Sequence, residues 1–163
     1  MNRSTRCRIT ASFVAEPIEQ ALGFIMHEAL GIDVTVEFSD FNQVFQEALD
    51  PASGSSGNNS GLNLFLIRPE DLSKEKLTTK LADDLVSALS ELSERSNARL
   101  IVAFCPHRNR TPGDNQWVAK VVKRLSEKTG VTCLAENDLV GHISVEDRFD
   151  DESEIQACIP YTE

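Results

Sequence analysis

A doubly wound α/β domain built on a parallel sheet is the fold this sequence predicts, and three observations carry the prediction. Short apolar runs with β-branched residues alternate along the chain with longer stretches of helical period. One of these runs, Leu62–Ile67, is dense enough to be a strand buried on both faces, and Arg99–Phe104 is another. Helix stops fall where such a fold needs them, at Gly31, Asp50-Pro51 and Gly130.

The elements follow in order. Cys7–Phe13 is a short first strand. Glu16-Pro17 opens a helix, with proline at home in the first turn, and Ile18, Ala21, Leu22, Ile25, Ala29 and Leu30 recur at the 3.6 period up to Gly31. Ile32–Phe38 alternates as a second strand, and Asn42–Leu49 is a short helix. Residues 52–61, Ala-Ser-Gly-Ser-Ser-Gly-Asn-Asn-Ser-Gly, read as a flexible loop with little capacity to pack. The residues before that loop hold too few elements for an independent core, so it lies within one domain. After the strand Leu62–Ile67 comes a long helix with Leu77, Leu81, Leu85, Ala88, Leu89 and Leu92 on one stripe. Arg99–Phe104 leads through a loop to about Asp114, then a helix with Val118, Val121, Val122 and Leu125 inward. Val131–Ala135 is a fifth strand, Glu136–His142 a short helical turn, and residues 146–154 an acidic solvated loop.

Five strands with covering helices make a three-layer α/β/α arrangement, and right-handed crossovers make a flavodoxin-like order, 2-1-3-4-5, the simplest topology. Ligands of such sheets bind at the carboxyl ends of the strands. That selects the loops at Ser12–Glu16, Ser39–Asn42, Arg68–Asp71 and Pro106–Asp114, together with the C-terminal stretch.

A chain of 163 residues suits one domain over 1–163. No apolar run approaches the roughly 20 residues needed to cross a bilayer, and the N-terminus has no apolar signal region, so a cytoplasmic location is expected. A net charge of −10 works against binding nucleic acid or an anionic membrane. Cys7, Cys105, Cys133 and Cys158 are too widely spaced for a zinc site, and free thiols rather than a disulfide framework are expected.

Several motifs are missing: a G-x-G-x-x-G turn, a Walker A loop, a G-x-S-x-G elbow and a D-x-D-x-T phosphotransferase site. No cofactor is implied. His27, His107 and His142 do not form a metal cluster by spacing, and the acidic run 146–154 lacks the ligand order of a calcium loop, so no metal site is expected. His107 lies on a strand-end loop within reach of a ligand. Ser12 stands at the end of strand 1, placed either as a nucleophile or as a turn or helix-capping residue; as a nucleophile it needs a base.

Three segments carry a resemblance: Phe41-Asn-Gln-Val-Phe-Gln-Glu-Ala-Leu-Asp-Pro51, Asn63-Leu-Phe-Leu-Ile-Arg-Pro-Glu-Asp71 and Ile159-Pro-Tyr-Thr162. Together they resemble a recurrent SGNH-hydrolase-like domain found inside nonribosomal peptide and polyketide megasynthases. They are similar also to the N-terminal region of FkbH-like proteins, which load glyceryl units onto carrier proteins through a separate haloacid-dehalogenase-like domain. The chain departs from that pattern in three places. Cys158 stands where the resemblance puts the hydrolase histidine, Arg68 where it puts an oxyanion-hole asparagine, and Asn42 and Gln43 where it puts a glycine. The chain stops just after Thr162, where domains of this type continue into a further helix, so a truncated or excised domain is expected.

The resemblance therefore implies a non-catalytic role, in which the domain docks or positions a carrier-bound acyl or aminoacyl chain beside a carrier protein or neighbouring megasynthase domains. Phe41, Asn42, Gln43, Phe45, Arg68, Glu70, Asp71 and Cys158 line or support that surface. Arg68 can grip a carboxylate or phosphate bidentately, or pair with Asp71 or an acidic C-terminal residue. Asn42 and Gln43 can instead cap the second helix, with Phe41 and Phe45 packed in the core. Two other readings stand beside this one: an acyl transferase or esterase using Ser12 with His107 or a carboxylate as base, and a protein-interaction module unrelated to biosynthesis.

Overall fold

The computed structural model describes residues 5–140, 144 and 148–161, so His142, Glu146, Asp147 and Thr162 lie outside the described residues. Five parallel strands, β1 (Thr5–Ala11), β2 (Val34–Phe38), β3 (Gly61–Ile67), β4 (Arg99–Phe104) and β5 (Val131–Leu134), form one sheet in the order β2-β1-β3-β4-β5. This is the expected flavodoxin-like order, in a three-layer α/β/α arrangement. The helices are α1 (Ile18–Leu30), α2 (Val44–Leu49), α3 (Thr79–Arg95), α4 (Pro112–Ser126), α5 (Glu136–Val140) and α6 (Asp151–Ala157). The step from β1 to β2 runs opposite to the steps from β2 to β5, so right-handed crossovers put α1 on one face and α2, α3 and α4 on the other.

The main core lies under α2, α3 and α4. Phe65 and Ile67 of β3 and Leu100, Val102 and Phe104 of β4 meet Leu85, Leu89 and Leu92 of α3 and Val121 and Leu125 of α4, all buried. Each such side chain contributes about 1.5–3 kcal/mol of burial. Thr78 and Thr111 start the two long helices by accepting backbone N–H groups from Leu81 and Asp114, and Asp114 completes a capping box.

The opposite face is less covered. The apolar residues of α1 recur at the helical period, yet no residue of this helix is fully buried. The helix is apolar around most of its circumference and rests mainly on the edge strand β2, so only one side of it finds a partner. Gly31 ends it in the left-handed conformation, φ 63°, with its N–H on the His27 carbonyl.

The 52–61 segment also departs from expectation. Ser55, Ser56 and Asn58 are buried, and the turn is packed rather than loose. A carboxylate organises it. Glu47 of α2 accepts from Arg8 Nη2 at 2.6 Å and from the Ser55 N–H at 3.1 Å, while Asn63 Nδ2 donates to the Ser55 carbonyl at 2.9 Å. Small polar side chains look like a linker in sequence, but here they complete hydrogen bonds that a buried ion pair requires. Gly61 closes the segment at φ 136°, and a Cβ there would stand 2.1 Å from the Arg6 carbonyl oxygen. Gly61→Ala is expected to cost at least about 1–3 kcal/mol through backbone strain. A lower urea midpoint with unchanged slope would record it.

Finally, the stretch expected as an acidic loop, 146–154, runs into α6, which begins at Asp151. Asp150 accepts the Ser153 N–H at 2.9 Å, and Asp151, Glu152 and Glu154 stand in the first turn, where the helix dipole favours negative charge. Charge density that looked like solvation is thus helix-start chemistry.

Candidate functional site

The strand-end centre begins with Ser12, which follows β1 directly and is 2% exposed. Its N–H donates to the Leu66 carbonyl at 3.1 Å, fastening this loop to β3. Its Oγ accepts the Arg68 N–H at 2.9 Å and donates to Asp71 Oδ2 at 3.1 Å. A hydroxyl has one proton to give, and here Asp71 receives it. Ser12 does not cap α1, whose N-cap position is Pro17.

Arg68 follows β3 directly, and Pro69 starts a short 3-10 turn, Pro69–Leu72, that brings Asp71 back beneath the guanidinium. The fork is bidentate: Nε to Oδ2 and Nη2 to Oδ1, both at 2.8 Å. Nη1 bonds Glu154 of α6, so one cation stands between two carboxylates. Burial opposes the charge on Arg68, but the hydrogen bonds to Asp71 and Glu154 more than offset it and hold the guanidinium protonated above its ordinary value.

A second arginine repeats the device. Arg110 grips Glu70 through Nε at 2.7 Å and Nη2 at 3.1 Å, reaches Glu136 at 2.9 Å, and donates to the Cys105 carbonyl at 2.6 Å. Arg148 donates to the same Glu136 at 3.2 Å. The two clusters tie the loops after β3 and β4 to α5 and the C-terminal segment.

Tyr161 fills the space between them. Its ring meets Phe13 edge-on at 5.1 Å, and its hydroxyl donates to the Pro106 carbonyl at 2.7 Å. Burial pushes its pKa up, and it pushes the neighbouring Cys105 thiol up to about 12. Cys105 is therefore an inert, protonated thiol at neutral pH. Beside Tyr161 opens a cavity of about 620 Å³, lined by Phe13, Val14, Pro17, Ile18, Ala21 and Pro160. That is the size and apolar character of a small-molecule site.

The structure brings Ser12, Arg68 and Asp71 together, and places Glu70 in the neighbouring cluster. Asn42 is exposed with φ 54°, and Gln43 holds the N-cap position of α2 without a side-chain cap bond. Of the two readings of Phe41 and Phe45, surface or core, Phe41 at 53% exposure fits the first, while Phe45 packs against the core. His107 is half-buried and accepts the Asn109 N–H at 3.2 Å. Cys158 is exposed in the left-handed conformation that ends α6, and its carbonyl accepts the Val14 N–H at 3.0 Å. Among the described residues no hydrogen bond joins Asn42, Gln43, His107 or Cys158 to Ser12, no three His, Cys, Asp or Glu side chains gather as a metal site, and no helix is long and apolar enough to cross a membrane. Sequence reasoning missed Arg110, Glu136 and the particular role of Glu154. Arginines on strand-end loops of so acidic a chain were the available signal.

No protein-family model matches this chain, and no curated protein matches its sequence. Solved structures do share its fold. The N-terminal part of the protein BF1531 from Bacteroides fragilis, containing a phosphatase domain complexed with Mg, matches with TM-score 0.75 at 13% identity. The match covers 98% of this chain and 47% of that one, so this chain spans about half its length. An active-site mutant of a family two carbohydrate esterase from Clostridium thermocellum matches with TM-score 0.50 at 12% identity, over 85% of this chain and 55% of that one. At these identities the likeness is one of fold.

Proposed function

We propose that this is a non-catalytic SGNH-like accessory domain of a biosynthetic assembly line, which docks a carrier protein and positions its acyl or aminoacyl chain. The observation that carries the reading is the state of Ser12. A serine nucleophile must meet substrate and pass its proton to a base. Ser12 is buried, its oxygen holds the Arg68 N–H, and its proton goes to an aspartate already gripped by Arg68. The arginine is equally committed, to Asp71 and Glu154, so the bidentate grip on a ligand carboxylate or phosphate gives way to an internal ion pair. What stays open at the strand ends is the apolar cavity beside Tyr161, which suits an acyl chain and offers no nucleophile. The assembly-line setting rests on the resemblance of the Asn-Gln, Arg-Pro-Glu-Asp and Ile-Pro-Tyr segments. Four free thiols suit a reducing compartment and support a cytoplasmic setting.

The test has two arms. Wild type and Ser12→Ala should turn over an activated ester at the same background rate. Ser12→Ala should instead lose about 1–3 kcal/mol of stability, because the Arg68 N–H is left buried without its acceptor. In the second arm an acylated, phosphopantetheinylated carrier should bind more tightly than the unmodified carrier. Carrier binding that ignores the acyl group, or serine-dependent turnover, sinks the reading. One contact favours a second reading, Ser12-dependent acyl transfer: the 3.1 Å hydrogen bond to Asp71, which could serve as base if Arg68 withdrew. On that reading Asp71→Asn and Ser12→Ala abolish the same turnover.

A further inference from the structure

Open parallel sheets receive ligands beyond the carboxyl ends of their strands. Two arginines stand there on neighbouring strands, Arg68 directly after β3 and Arg108 in the loop after β4. Each is held from two sides. Asp71 grips Arg68 through Nε and Nη2, and the ring of buried Phe149 carries the Arg108 guanidinium 5.2 Å from its centroid. The second partner of each comes from α6: Glu154 takes Nη1 of Arg68, and Asp151 takes Nη2 of Arg108 at 2.9 Å.

The two sides of these pairs differ in how firmly they are fixed. Both arginines keep an anchor that owes nothing to α6, so their positions survive its departure. The helix itself has little else to hold it. It buries no residue, and its one large apolar side chain, Ile155, is 84% exposed. A helix this short is marginal without tertiary support. Apolar contacts fix the chain on either side of it, through Phe149 before and Tyr161 after, and the Cys158 carbonyl at its end accepts the Val14 N–H. Between those anchors the two ion pairs hold it down. Asp151 and Glu154 are three residues apart and so share a face, with their Cβ atoms about 5–6 Å from each other.

We propose that Arg68 and Arg108 form a binding site for a small molecule with two acidic groups, of the dicarboxylate or diphosphate class, and that α6 is its lid. Glu154 and Asp151 occupy the places of the ligand's acids until the ligand displaces them. A chain of net charge −10 repels an added anion, so an exchange of one pair of acids for another is the favourable route in. Arg68 offers one arm, Nη1, because Asp71 keeps the other two groups, and Arg108 supplies the second cation. The site needs neither Ser12 nor a carrier protein, and it stands or falls separately from the carrier reading.

Calorimetric titration of the purified chain with glutarate and with inorganic pyrophosphate tests this, with amide hydrogen exchange over residues 151–157 as a second readout. At low salt at least one of the two should bind, and butyrate, with a single acid, should bind more weakly. The bound form should exchange its α6 amides faster, because the lid has lifted. Glu154→Gln removes the internal competitor and should tighten binding at least about fivefold, the low end of usual coupling between two events. Glu152→Gln removes the same charge from the same helix, where the side chain meets only Gln156, and should leave affinity nearly unchanged. Arg108→Gln, at an exposed position away from the Asp71 fork, should abolish binding. Binding of neither probe, equal binding of butyrate, α6 amides unmoved or slowed by the ligand, or Glu154→Gln no tighter than Glu152→Gln overturns the proposal. So does binding that survives Arg108→Gln, which would place the anion elsewhere.

Discussion

Replacing Arg68 by methionine is expected to destabilise the protein by about 3–5 kcal/mol at neutral pH, because breaking a buried ion pair strands its partners. Methionine keeps most of the apolar stem, so packing changes little and the loss reports the charge. Asp71 would lose both arms of the guanidinium fork, and Glu154 would lose the contact that ties α6 to the strand ends. Arg68→Lys should recover only part of the loss, since an ammonium cannot bridge both oxygens of Asp71 in the same plane. Adding Asp71→Asn to Arg68→Met should cost much less than the two single losses summed, because the second change removes the stranded charge. Urea unfolding of the four variants measures all of this. Additive losses would show that the pair is not coupled.

Glu47→Ala is expected to be the second large effect, about 3 kcal/mol at neutral pH. It leaves Arg8 without its carboxylate and the Ser55 N–H without its acceptor, and so loosens the whole turn from Asp50 to Asn58. The same carboxylate gives the fold a pH dependence. Burial opposes its ionisation, yet the hydrogen bonds from Arg8 and Ser55 win, and its pKa lies below the ordinary value in the folded state. The unfolded chain therefore binds this proton first as pH falls. The stability it contributes is complete above the unfolded value of about 4.3 and is lost as pH drops through the lowered folded value. Urea midpoints of wild type and Glu47→Gln should differ at neutral pH and converge toward about pH 3. A gap that persists unchanged in acid would contradict the assignment.

The sheet was legible because its strands bury apolar residues continuously, and Leu62–Ile67 or Arg99–Phe104 leave few other folds open. The long helices were legible for the same reason: Leu85, Leu89 and Leu92 fall on one stripe and the structure buries them all. The strand-end cluster was half legible. Arg68 pairing with Asp71 follows from their spacing across a proline turn, but its reach to Glu154 spans 86 residues and depends on α6 forming at all. The packed turn before β3 was illegible, because serine and asparagine carry no hydrophobic signal, and their burial is dictated by Arg8 and Glu47 from distant parts of the chain. The exposure of α1 was illegible for the opposite reason. Its apolar period describes a helix that wants neighbours, and period alone does not say how many of them the chain supplies.

The central claim is that the strand-end serine holds the fold together and is closed to substrate. Treating the folded protein with a fluorophosphonate, which forms a covalent bond with an activated serine hydroxyl, tests it most directly. Peptide mapping by mass spectrometry should find Ser12 unmodified under conditions that label a working serine esterase to completion. A stoichiometric adduct on Ser12 would contradict the account and make this centre an enzyme's.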